Sequence, residues 1–148
     1  MKLLKSFLHA FRGIWICIRQ ERNFRIHTIA ILTVVIFSIL YGLPIDKYPV
    51  LILILALVPS LEAVNTAIER AVDIETESQH PLAKDAKDTA SGAVLISAIA
   101  SVVMACFLFS DIEKLTDVAM IFTRPLSIVV LIIYIVISAI YVFLPNHK

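Results

Sequence analysis

The sequence predicts an all-α membrane protein: an N-terminal amphipathic interfacial helix, a three-span helical bundle and an additional fourth C-terminal transmembrane helix. Composition is the first reason, because 59% of the 148 residues are hydrophobic and the mean hydropathy is +0.91, outside the balance of soluble domains. The second is a set of four apolar runs, near 26–43, 49–64, 92–109 and 126–144, each close to the ~17 to 25 residues that cross a bilayer as a helix. The runs are continuously apolar rather than alternating, which argues against a β-barrel.

Residues 3–22 open the chain with Leu4, Leu8, Phe11, Trp15 and Ile18 on one helical stripe, while Lys5, Arg12 and Arg19 recur on another. Such a helix lies in the interface with its basic face toward lipid headgroups. His9 and Arg12 interrupt any apolar core, and no small-residue cleavage site follows, so a cleaved signal peptide is not expected. The first span follows, and Pro44 and Pro49 bracket a tight outer turn after it. The second run is the shortest and must continue into polar sequence to span. Pro59 lies within it and frees a backbone carbonyl. Pro81 interrupts the next connection, and Pro125 begins the fourth span at a position where a missing N–H costs nothing. With no long linker or repeat, residues 1–148 read as a single membrane domain: an interfacial helix over 1–25, a three-span core over 26–110, and an extra-cytoplasmic loop with the fourth span over 111–148.

Charge gives the orientation. Lys2, Lys5, Arg12, Arg19, Arg22 and Arg25 precede the first span, and Lys84 and Lys87 lie between the second and third. The positive-inside rule places the N-terminus and the loop near Asp73 to Asp88 in the cytoplasm, and an even number of spans returns the C-terminus there. A net charge of +1, without a basic run, gives no footprint for nucleic acid. Cys17 and Cys106 are isolated and are expected to be buried free thiols without a function.

The charge between residues 61 and 95 is out of keeping with so apolar a chain. At about 100° per residue, Glu62, Asn65, Glu69 and Asp73 fall near 0°, 300°, 340° and 20°, with Thr66 near 40°, so they form one stripe. A charge at membrane depth costs a few kcal/mol, roughly 2.5 to 3.5 on insertion scales, so the stripe must face protein, water or an ion. Lys84, Lys87, Asp88 and Ser91 make a second stripe entering the third span. Carboxylates on one helix and lysines on the next suit a divalent metal with a polyphosphate, since Mg²⁺ takes a few carboxylate oxygens plus phosphate oxygens and lysines offset the remaining charge. The blander reading of a solvated turn suits "DIETESQH", and an inter-helix hydrogen bond would account for Asn65. Neither accounts for an ionisable Glu62 below more than ten apolar residues. Three glycines, Gly13, Gly42 and Gly92, leave no room for a P-loop or a kinase-type glycine-rich loop.

The runs "EAVNTAIERAVD" and "HPLAKDAKDTASGAVL", with "RQERNFRIH" upstream, resemble the prokaryotic diacylglycerol kinase family, which includes the undecaprenol kinases; the resemblance covers roughly residues 5–110. It implies a small lipid kinase of the bacterial inner membrane that moves the γ-phosphate of Mg-ATP to a lipid alcohol at the cytoplasmic face, as a homotrimer with shared sites. Carried over by position, Glu62 is the general base and Asn65 helps to position it. Glu21 and Glu69 hold Mg²⁺. Asp73, Lys87 and Asp88 serve the nucleotide, with His9, Ser78, Gln79 and His80 around it, and Arg25 and Ser91 are lesser members of the lipid site. The fourth run exceeds the family's three spans. His27 and "HPLAKDAKD" look more like the undecaprenol kinase branch, so undecaprenol is the expected substrate and diacylglycerol the alternative. From another class, a proton or cation pathway subunit using Glu62 and Glu69 as relays explains buried carboxylates but not Lys87 beside Asp88.

Overall fold

The computed structural model describes residues 2–75 and 80–145. The chain forms α1 (Lys2–Gln20), α2 (Arg22–Leu40), a 3₁₀ turn (Ile45–Lys47), α3 (Tyr48–Glu75), α4 (Pro81–Leu108), α5 (Ile112–Ile121) and α6 (Pro125–Phe143). Among the described residues there is no strand. Four helical segments, Arg22–Leu40, Ile45–Glu75, Pro81–Leu108 and Pro125–Phe143, are long and apolar enough to cross a membrane. The chain is an integral membrane protein.

Local chemistry sets the breaks between these helices. Residue Glu21, extended at φ −108° and ψ 115°, separates α1 from α2. At the far end of α2 the chain leaves through a Schellman turn. Gly42 takes φ 64°, its N–H reaches Ile39 O at 3.1 Å, and Leu43 N–H reaches Ser38 O at 3.0 Å. A Cβ at Gly42 would be strained at that positive φ. Pro81 occupies the first turn of α4, with His80 as N-cap, and Pro125 does the same for α6 after Arg124. Helix α3 runs through Pro59 without a break.

Helix α4 begins at Pro81, ahead of the apolar run that starts near Gly92, so its first turns carry the lysine stripe as the helical spacing of Lys84 to Ser91 implied. One sequence expectation changes. The segment expected as an outer loop contains α5, capped by Asp111 Oδ1, which accepts from Glu113 N at 3.0 Å and Lys114 N at 3.3 Å. Helix α5 closes the end of the bundle remote from the polar stripes. Val118 joins Tyr41, Leu43, Leu51 and Leu108 in a buried cluster. Tyr41 Oη accepts from Asp111 N at 2.9 Å, and its ring meets Phe109 edge-on at 5.1 Å. Lys114 Nζ donates to Gly42 O at 3.2 Å. Cys17 is buried as expected, whereas Cys106 is exposed on the outside of α4.

The fourth span packs antiparallel on α2, and three contacts set its register. Tyr134 and Thr33 share a hydroxyl hydrogen bond of 2.6 Å. Arg22 lies 4.6 Å from the centre of the Phe143 ring. Arg25 is 4% exposed, and its Nη1 donates to the carbonyls of Tyr141 at 3.1 Å and Leu144 at 2.8 Å. Tyr141 lies in the last turn of α6 and Leu144 is its C-cap, where backbone acceptors lack partners within the helix and the helix dipole favours a cation. Farther from that end, α2 and α6 diverge around an apolar groove of about 410 Å³ lined by Phe37, Leu40, Phe122, Val130 and Tyr134 among others.

Candidate active site

The polar stripe of α3 is where the sequence placed it, and its burial is graded. Glu62, Asn65 and Thr66 are buried at 4%, 6% and 4% exposure, Glu69 is half-buried, and Asp73 is exposed. The apolar run from Tyr48 sinks one end of α3 into the bilayer, so each turn toward Glu75 rises nearer to water. Among the described residues, no side chain or backbone group hydrogen-bonds the Glu62 carboxylate. A buried acid left without a partner is costly unless it meets a ligand or a proton.

Asn65 joins the two stripes. Its Nδ2 donates to Glu69 Oε1 at 2.9 Å, one turn along α3, and its Oδ1 accepts from Ser91 Oγ on α4 at 3.4 Å. Between the more exposed ends of the same helices, Lys87 Nζ pairs with Asp73 Oδ1. An ion pair this accessible is worth only about 0 to 1 kcal/mol, so it is readily exchanged for a stronger anion. Asp88 is exposed and so is His80, whose Nδ1 accepts from Leu82 N at 3.3 Å as the cap of α4. His9 is exposed on α1. Ser78 and Gln79 lie outside the described residues.

Glu21 approaches α3 through a residue that stripe geometry did not single out. Arg70 Nη2 donates to Glu21 Oε1 at 2.7 Å and to Gln20 Oε1 at 3.0 Å. Cys17, whose carbonyl accepts from Glu21 N at 2.9 Å, is buried, and burial pushes its thiol pKa up, with smaller influences from Arg70 (lowering), Glu21 and Glu62 (both raising). The Arg70 contacts tie the junction of α1 and α2 to α3. Arg25 is not brought to this cluster by any hydrogen bond described above; its guanidinium is directed to the end of α6. On the membrane side, an apolar groove of about 210 Å³ between α2, α3 and α4 includes His27, Leu55, Val58, Pro59 and Ser101 in its wall. Val58 stands one helical turn from Glu62, so the groove continues the face that carries the stripe.

For a metal, no three of His, Cys, Asp and Glu converge among the described residues, so an all-protein cage is not offered there. Mg²⁺ that arrives with nucleotide phosphates needs only one or two carboxylates. Glu69 and Glu21 are carboxylates of the kind such an ion takes. Each has Oε1 held by a neighbour, Asn65 or Arg70, and its Oε2 has no hydrogen bond among the described residues.

The sequence model of prokaryotic diacylglycerol kinase matches residues 8–109, a span that runs from within α1 to the end of α4 and includes both stripes. The chain belongs to the prokaryotic diacylglycerol kinase family. Curated relatives in this family carry two substrate names. An undecaprenol kinase of Bacillus subtilis is 44% identical over 108 residues, covering 73% of this chain and 88% of the relative. A diacylglycerol kinase of Synechocystis is 43% identical over 115 residues, covering 76% and 66%, and a diacylglycerol kinase of Escherichia coli is 31% identical over 107 residues, covering 72% and 88%. No solved structure matches. Family membership makes the chain a lipid kinase. The family match ends at residue 109, so α5 and α6 lie outside it.

Proposed function

We propose that the chain transfers the γ-phosphate of Mg-ATP to the hydroxyl of undecaprenol, at a site formed by the facing stripes of α3 and α4. The observation that carries this reading is Glu62, a buried carboxylate without a hydrogen-bond partner among the described residues, set between an apolar groove and a polar, solvent-reaching stripe. A lipid alcohol has the same division, an apolar tail and one hydroxyl, and phosphoryl transfer asks the protein for alignment, charge neutralisation and one proton acceptor.

Glu62 accepts the proton of the lipid hydroxyl as that oxygen attacks the phosphorus. Asn65, held by Glu69 and Ser91, keeps the two helices in register around that carboxylate. Lys87 exchanges Asp73 for the phosphates, with Asp73, Asp88, His80 and His9 around the nucleotide, joined by Ser78 and Gln79. Glu69 and Glu21 would hold Mg²⁺, which would supply charge neutralisation at the phosphates. Ser91 lies on the hydroxyl side. Arg25 serves this site indirectly, as the anchor of α6.

Undecaprenol is favoured over diacylglycerol because His27 and "HPLAKDAKD" are like the undecaprenol kinase branch, and His27 lies in the wall of the groove. The homotrimer rests on the family resemblance. The site and both termini face the cytoplasm of a bacterial inner membrane, a reading supported by basic residues before α2 and by the antiparallel packing of α6, which returns its C-terminal end to the start of α2.

The test is a pair of measurements on purified protein in liposomes. With γ-labelled ATP, label is expected in the extracted lipid, dependent on Mg²⁺ and lost in Glu69→Ala. Glu62-dependent ion flux without ATP, in protein that labels no lipid, would favour a cation pathway instead.

A further inference from the structure

Arg70 adjoins the proposed metal carboxylates but has no part in the roles assigned above. It follows Glu69 directly on α3, and its Nη2 reaches across to the junction of α1 and α2, where it meets Gln20 Oε1 at 3.0 Å and Glu21 Oε1 at 2.7 Å. Glu21 is the N-cap residue of α2, yet its side chain makes no capping hydrogen bond there. The carboxylate therefore turns to Arg70 rather than to its own helix. The break at Glu21 also leaves α1 and α2 joined by a single extended residue, so the position of this carboxylate relative to α3 is not fixed by helix geometry alone.

We propose that Arg70 is a positioning residue for Glu21: it fastens the α1–α2 junction to the catalytic helix and sets where the Glu21 carboxylate stands for the metal that accompanies ATP. The proposal rests on the reading of Glu21 as a metal ligand. The hydrogen-bond geometry is consistent with it. Only one oxygen of Glu21 is taken by Arg70, leaving Oε2 without a hydrogen bond among the described residues, as a ligand held by an outer partner requires. A guanidinium is charged at every accessible pH, so this hold on Glu21 does not lapse when pH changes.

Mn²⁺ provides a readout other than turnover, because its electron paramagnetic resonance signal separates free from bound ion. The titration is made on full-length protein with a non-hydrolysable ATP analogue, and thermal unfolding confirms that each variant is folded. Arg70→Gln is expected to weaken Mn²⁺ binding by about 10-fold or more, the usual effect of removing an outer partner. Arg70→Lys, which keeps a cationic donor, should recover most of the loss. Glu21→Gln should weaken binding too, and the double variant should bind no more weakly than Glu21→Gln alone. Unchanged Mn²⁺ binding in Arg70→Gln overturns the proposal. So does an equal loss from Arg70→Gln when Glu21 is already Gln, which would place Arg70 on the phosphates themselves. Full Mn²⁺ affinity in Glu21→Gln, by contrast, removes Glu21 as a ligand, and the proposal fails with that reading rather than by itself.

Discussion

Glu62→Gln is expected to bind Mg-ATP and lipid while losing phosphate transfer, with kcat lower by about 10²- to 10⁴-fold, the usual share of a positioned general base. The substitution keeps the shape of a side chain that is 4% exposed and removes its ability to take a proton. Burial sharpens the expectation, since a water molecule has limited access to replace the missing base. The discriminating quantity is the split between kcat and KM in steady-state transfer with labelled ATP. A fall in kcat with little change in the KM for ATP identifies an interaction made in the transition state, whereas a raised KM for ATP at full kcat would make Glu62 a nucleotide-binding residue. The neighbouring Asn65 should behave differently. It touches Glu69 and Ser91, so its removal disturbs both the carboxylate pair and the α3–α4 register.

Arg25→Met is expected to release the fourth span. The guanidinium donates twice to carbonyls at the end of α6, and hydrogen bonds to a charged group are worth about 1.5–3 kcal/mol each, so a loss of about 2 kcal/mol or more in stability follows. Arg25→Lys should retain part of this, because an ammonium can still face the helix end but lacks the planar fork. Unfolding of the detergent-solubilised protein reports the stability. The separation between spin labels at the exposed positions of Ile26 and Ile140, in a variant lacking Cys17 and Cys106, reports whether α6 remains docked. An increased lipid KM with full stability and an unchanged label distance would return Arg25 to the lipid site that resemblance assigned to it. A further consequence concerns Tyr134 and Arg22, whose contacts with Thr33 and Phe143 act on the same pair of helices. Their substitutions should not add independently to that of Arg25.

How far the sequence reached depends on whether an interaction is local. The spans were legible because a bilayer fixes their length, and the stripe from Glu62 to Asp73 was legible because it is periodic along one helix. The Asn65–Glu69 hydrogen bond is an i, i+4 contact of that kind. Arg70 and Glu21 lie 49 residues apart, so no periodicity could pair them. The only local signal was a single arginine inside the acidic half of α3. Arg25 was noticed for its place in "RQERNFRIH", but its acceptors lie 116 and 119 residues away on a helix outside the family match. Helix α5 escaped for another reason: its ten residues mix acids, a lysine and a threonine with apolar positions, a pattern shared with exposed loops, and its burial depends on Tyr41, Leu43 and Leu108 being nearby. The start of α4 ahead of its apolar run was legible from the helical spacing of Lys84, Lys87, Asp88 and Ser91, with Pro81 one turn earlier.

The most direct measurement is phosphate transfer from γ-labelled Mg-ATP by purified full-length protein in bilayers containing equal mole fractions of undecaprenol and diacylglycerol, with the two lipid products separated and counted. Label is expected predominantly in undecaprenyl phosphate, with the larger kcat/KM for that lipid when each is assayed alone. Predominant labelling of diacylglycerol would contradict the substrate assignment, and no labelling of either lipid by folded protein that binds Mg-ATP would contradict the lipid kinase account itself.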